Sequence, residues 1–200
     1  MKPTIFLIFT LYSTLAFSQI RTPEAYISFS GFYNSDLKSN TYFNLAAGAE
    51  LFTYKFIAPE IDATFYFGSN AEESFSSWVG GLGPKLFLDD TAVRYALIPK
   101  YHWGNQASER DEASSENTAI TQKATQKFNF WSFSLGDKFS GRERKGKTGI
   151  YLTYTGFDAG KTLNQLATDN QTEMANNVNT RAIGLTVRLL TGFSKHRKEP

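Results

Sequence analysis

The chain of 200 residues has no cysteine. That excludes disulfide scaffolds, thiolate metal sites, cysteine nucleophiles and a lipid-modified N-terminal cysteine. It also lacks an excess of one charge. Lys and Arg number 21 against 19 Asp and Glu, a formal net charge of +2, so no nucleic-acid partner is expected. Past the N-terminus no apolar run reaches the ~18 residues of a spanning helix. Aromatic residues are abundant at 16%, which suits pleated, half-buried strands and membrane-interface belts.

The first 18 residues read as a cleaved secretory signal, leaving one domain over 19–200 with a short basic tail. Lys2 gives a positive start, Ile5 to Ala16 is mostly apolar, and Ala16-Phe17-Ser18 offers small residues before Gln19. An exported chain without spanning helices is either soluble and secreted or a membrane barrel.

Eight strands are expected: Tyr26–Tyr33, Tyr42–Thr53, Phe56–Phe67, Trp78–Leu88, Val93–Trp103, Phe128–Lys138, Thr148–Phe157 and Thr180–Phe193. Each alternates with period 2. In the last, Ile183, Leu185, Val187 and Leu189 oppose Gly184, Thr186 and Arg188. Connections alternate in kind. Polar, mostly long segments follow strands one, three, five and seven, including Gly68–Ser77, Gly104–Lys127 and Asp158–Asn179, with a short helix expected over Leu163–Ala175. Short turns follow strands two and four, and a basic, Gly-rich connection follows strand six. An up-and-down barrel gathers long loops at one rim and short turns at the other. Trp78, Trp103, Trp131, Tyr33 and Tyr101 stand at the long-loop ends of their strands, with Tyr54, Phe56, Tyr95 and Phe193 at the opposite ends. Rings at two levels are what a lipid interface selects.

The polar faces carry Glu50, Glu60, Asp62, Lys85, Arg94, Lys100 and Arg188. Eight strands leave an interior just wide enough for side chains. These groups are expected to interlock as a luminal charge network that satisfies buried charge and blocks the lumen. A catalytic carboxylate pair is the functional alternative. His102, placed near the rim, has Ser132 and Ser134 on the neighbouring strand with inward parity. They are the one candidate constellation for a hydrolase. The histidine-any-serine signature of lipid A deacylating barrels is absent, since Trp103 and Gly104 follow His102. Unchanged membrane lipids in a His102→Ala variant would exclude that reading. Gly160-Lys161-Thr162 lacks the strand–loop–helix setting of a phosphate loop. Glu109 to Glu116 lacks calcium-loop spacing, and no cofactor or metal is expected. Pro59, Pro84 and Pro99 fall inside strands, where each removes a ladder hydrogen bond and calls for a bulge or a break.

Strand pattern, loop alternation and terminal strand together resemble the small eight-stranded outer-membrane barrels typified by the OmpA transmembrane domain and OmpX. The resemblance covers Tyr26 to Phe193. It implies a monomer in the outer membrane, with lipid and, during insertion, the barrel-assembly machinery as partners. Gly184, Val187 and Leu189 look like the glycine and spaced apolar residues of the insertion signal. Ile183 replaces the expected polar residue, and seven residues follow Phe193. The resemblance fixes no activity. The expectation is an all-β, antiparallel transmembrane barrel with a structural or surface-interaction role through its long polar loops. The alternatives are a lipid-modifying hydrolase using His102 and a soluble secreted β-barrel binding a small apolar ligand.

Overall fold

The computed structural model describes residues 23–35, 41–54, 56–69, 73–88, 95–113, 119–140, 147–163 and 179–192. The expected signal peptide, Arg94, Phe193 and the basic tail lie outside the described residues. Eight strands follow one another: β1 (Glu24–Tyr33), β2 (Thr41–Glu50), β3 (Ile57–Ser69), β4 (Glu73–Phe87), β5 (Tyr95–Ala113), β6 (Ala119–Ser140), β7 (Lys147–Thr155) and β8 (Ala182–Gly192). Each pairs antiparallel with its sequence neighbours. β1 also pairs with β8, from Glu24↔Gly192 to Tyr33↔Ile183, which closes the barrel and removes its open edges.

The period-2 pattern decides which way each side chain points. Ile27, Phe29, Leu45, Ile61, Leu82, Leu135, Leu152 and Leu185 are exposed on the outer wall. Ser28, Asn44, Glu60, Thr64, Lys85, Lys100, Ser132, Thr186 and Arg188 are buried inside. A water-soluble barrel would do the reverse. Ile27 at 59% and Leu189 at 60% exposure belong to a wall that meets hydrocarbon. The outer aromatics touch one another in series. Phe29 stacks on Phe43, Phe65 lies 4.7 Å from Trp78, and Tyr101 lies 5.3 Å from Trp131.

Four strands, β3 to β6, run well past their expected limits at the long-loop end. Gly68–Ser77 is not a long loop, because β3 runs to Ser69 and β4 starts at Glu73. Gly104–Lys127 is mostly strand, paired from Gly104↔Phe128 to Ala113↔Ala119. Its Ser, Gln, Thr and Glu residues are polar on both faces, so they show no apolar period even while they pair. Trp78, Trp103 and Trp131 therefore sit within their strands, not at the ends, and β4, β5 and β6 continue past them as a three-stranded blade. β7 pairs with β6 only from Ser132 to Ser140. Above that, no strand among the described residues pairs with the outer edge of β6.

The prolines neither bulge nor shift the register. Phe87 N–H donates to Phe56 O at 2.8 Å and Leu88 N–H to Tyr95 O at 3.0 Å. Counting along the antiparallel alternation from these bonds, Pro59 and Pro84 form a non-hydrogen-bonded pair. Pro84 and Pro99 then face each other where two ladder bonds would form, and neither has a donor. The β4–β5 ladder accordingly breaks between Leu82↔Tyr101 and Leu86↔Leu97, with the same register on both sides. Pro59 turns its nitrogen toward β2 just past the last ladder pair, Glu50↔Glu60. Gly83 permits the close approach, since a Cβ there would collide with Pro99 O.

Candidate functional site

The lumen is filled in layers. Near the short-turn rim Ala58, Phe87, Ala96, Ile98 and Tyr151 pack together. Above them the inward parity of five strands delivers charge to one level. Lys85 Nζ meets Glu50 Oε1 at 2.9 Å and Glu60 Oε1 at 3.7 Å. Lys100 Nζ meets Glu60 Oε2 at 2.8 Å and Asp62 Oδ2 at 2.5 Å. Arg188 Nη1 donates to both Glu60 oxygens at 3.0 and 3.1 Å. Glu60, fully buried, is thus the hub of three cations. Of the seven charged residues read from the sequence, Glu50, Glu60, Asp62, Lys85, Lys100 and Arg188 come together. Arg94 lies outside the described residues.

Tyr26 was missed by sequence reasoning, although its inward parity was legible. Its hydroxyl donates to Asp62 Oδ2 at 2.9 Å, and Arg188 and Lys100 lie 4.3 and 5.0 Å from its ring centroid. One phenol thereby spaces two cations through its π face and steadies a carboxylate through its hydroxyl. Glu24 joins through its backbone N–H, donated to Glu50 Oε2 at 3.0 Å.

His102 is not near the rim, because β5 continues well beyond it. The imidazole is buried, stacked on Phe130 at 4.7 Å, with Nε2 2.8 Å from Ser132 Oγ. Nδ1 lies 4.0 Å from Asp62 Oδ1. Gly81 makes room, since a Cβ there would meet both Asp62 and His102. Serine, imidazole and carboxylate are therefore in hydrolase order, but they are buried in the filled lumen and Asp62 is engaged by Lys100, Tyr26 and Thr64. Ser134 does not join them. It belongs to a hydroxyl chain running through Thr153 and Thr186 to Ser30, with links of 2.9, 2.8 and 2.7 Å.

Toward the long-loop end the inward side chains are aromatic. Phe32, Tyr42, Tyr66, Phe75 and Phe130 form an aromatic layer. The segment after β7, expected to be a solvated loop, turns inward onto it. Phe157 is fully buried and stacks on Tyr66 at 4.4 Å with 5° between planes. Ala159 N–H donates to Thr180 Oγ1 at 2.6 Å, and the Thr180 hydroxyl in turn reaches Phe157 O. Residues 160–163 make one helical turn, and its Thr162 hydroxyl binds Gln106 and Ser108 of β5 at 2.6 and 2.5 Å. The rest of the expected helix lies outside the described residues. The expected seventh strand runs to Phe157, but β7 ends at Thr155; an aromatic on the parity of Thr153 and Thr155 was the available signal for this cork.

No protein-family model and no curated protein sequence matches the chain. Solved structures do. Neisserial surface protein A aligns with a TM-score of 0.50 at 12% identity, over 86% of this chain and 96% of that one. Ail of Yersinia pestis aligns with 0.47 at 6% identity, over 86% and 96%. The N-terminal barrel of Pseudomonas aeruginosa OprF aligns with 0.38 at 10% identity, over 86% and 98%. The closed eight-stranded sheet, its inverted polarity and the alignment with Neisserial surface protein A agree: the chain has the fold of the small outer-membrane β-barrels.

Proposed function

We propose that the chain is an outer-membrane surface protein, in which a plugged barrel holds a rigid three-stranded blade outside the cell for contact with partners. The blade carries this reading. β5 and β6 run ten residues past the level of Trp103, farther than a barrel wall needs, and a solvated connection would serve if they were only to be joined. Lys123 and Glu109 pair across the blade at 2.8 Å on its exposed surface. The edge of β6 that no described strand pairs with offers backbone donors and acceptors to an extended segment of another protein. Glu50, Glu60, Asp62, Lys85, Lys100 and Arg188 below, and Phe157 above, fit a stable support that does not conduct.

Trypsin added to intact cells tests this. Cleavage is expected at Lys123 or Lys127 in the blade, with the barrel left as a heat-modifiable band. Cleavage only after the outer membrane is permeabilised would place the blade inside and refute the proposal. In a planar bilayer no single-channel current is expected, and a sustained current would refute the plug.

A further inference from the structure

At the long-loop end β7 leaves its neighbour. Gly156 N–H donates to Trp131 O at 2.8 Å, and the chain then turns inward to bury Phe157. No described strand continues along this side of β6. The bond at Trp131 fixes which backbone groups face that side. In an antiparallel ladder both groups of a residue point the same way, and successive residues alternate. N–H and C=O of Lys123, Thr125, Lys127 and Asn129 therefore point away from β5, while those of the residues between them face it. The four residues span about 20 Å at ~3.3 Å per residue. Their side chains share the outward parity of Trp131, and all are exposed. Two are cationic. Lys123 gives one donor to Glu109, and an ammonium has three. Lys127 stands opposite Asn105 and has no acidic partner among the described residues.

We infer that this edge takes up an acidic, extended segment of a partner protein as an added antiparallel strand, with two carboxylates four residues apart seated on Lys123 and Lys127. This deepens the surface-contact reading above and rests on it. The spacing follows from the ladder. Partner residues opposite Lys123 and Lys127 share one face, and one residue of that face, opposite Thr125, stands between them. The intervening residues fall on the side of Ala124, which is buried, and of Phe128, which stacks on Phe130. Apolar β-branched residues suit those positions. Antiparallel entry continues the arrangement that β7 keeps up to Thr155. Lysines on an edge repel strands of like charge, so the residues that admit an acidic segment turn others away. A second copy of this chain is among those turned away. Joined through this edge, two copies would crowd four lysines onto one face.

Fluorescence anisotropy with the folded protein in detergent tests the edge, using the labelled peptide Thr-Glu-Val-Thr-Val-Glu-Thr and its counterpart with lysine in place of both glutamates. The acidic peptide is expected to bind about tenfold tighter, since the exchange turns two exposed attractions into two repulsions. The gap is expected to narrow as salt is added. Lys123→Gln combined with Lys127→Gln is expected to bring the two peptides to near equality. N-methylation of the glutamates and the central threonine, whose N–H groups face β6 in this pairing, is expected to abolish binding. N-methylation of the two valines is expected to leave it. No binding of the acidic peptide, or equal binding of the two, would overturn the inference. So would an unchanged preference in the double variant, or equal tolerance of the two N-methyl patterns. A dimer that excludes the peptide would overturn it by assigning the edge to a second copy. Binding seen only after residues 164–178 are replaced by a glycine–serine linker would overturn it by assigning the edge to the chain itself. The heat-modifiable band reports folding of each variant. Trypsin cleavage of intact cells, which does not depend on the peptide, tests the surface placement separately.

Discussion

Replacing Glu60 by alanine is expected to destabilise the barrel by about 3–5 kcal/mol, the range for removing one partner from a buried ion cluster. Glu60 is fully buried and holds Lys85, Lys100 and Arg188 at 3.7, 2.8 and 3.0 Å. In the intact protein Glu50, Glu60 and Asp62 face Lys85, Lys100 and Arg188, three against three. Without Glu60 these three buried cations face only Glu50 and Asp62 among the ion pairs of the described residues. Glu60→Gln keeps an acceptor oxygen but points an amide N–H₂ at the same cations, so it recovers little. Urea titration of the protein folded into lipid vesicles, followed by the heat shift on a gel, measures the loss. The exposed pair Lys123–Glu109 has a similar length, 2.8 Å. Glu109→Ala is expected to cost no more than about 1 kcal/mol, because water solvates both ends. Equal effects at the two sites would show that burial does not set the worth of the luminal cluster.

Phe157→Ala is expected to cost about 3–5 kcal/mol by the transfer and cavity terms together, and to unlock the cork without unfolding the wall. The ring is fully buried and lies within 5.9 Å of the rings of Tyr42, Tyr66, Phe75, Phe128 and Phe130. It lies on the loop side of β7, so the ladders below stand without it. The bonds that depend on its position are those of Thr180 to Phe157 O and to Ala159 N, and of Thr162 to Gln106 and Ser108. Amide exchange should therefore rise at Ala159 and Gly160 and stay slow in β1 and β8. Uniform acceleration throughout the barrel would mean that the cork and the wall open together.

Where one face meets lipid and the other a packed lumen, the sequence showed the wall almost residue by residue. Ile183, Leu185, Val187 and Leu189 against Thr186 and Arg188 is such a case. The blade was illegible for the same reason in reverse. Beyond the tryptophan belt both faces of β6 at Thr125, Gln126 and Lys127 are exposed, so pairing leaves no period in residue type. Charged residues with inward parity could be picked out, but their connectivity could not. That Glu60 is the hub depends on strand stagger, which brings Arg188 of β8 within reach of β3. His102 and Ser132 were named together, but Asp62 as the third member needs the gap at Gly81. The β4–β5 break was half legible. Prolines on neighbouring strands were visible, but only the register puts Pro84 opposite Pro99.

That break gives the barrel a preferred direction of deformation. Strand-to-strand hydrogen bonds carry tension around the circumference, and eight seams share it. Seven run without interruption, while the β4–β5 seam lacks its bonds between Leu82↔Tyr101 and Leu86↔Leu97. Beside the gap lie Gly80, Gly81 and Gly83, which bring no side chains of their own to the wall. A squeeze from the surrounding bilayer therefore turns the round cross-section elliptical by bending at this one longitude. The opposite seam, β8 to β1, stays stiff.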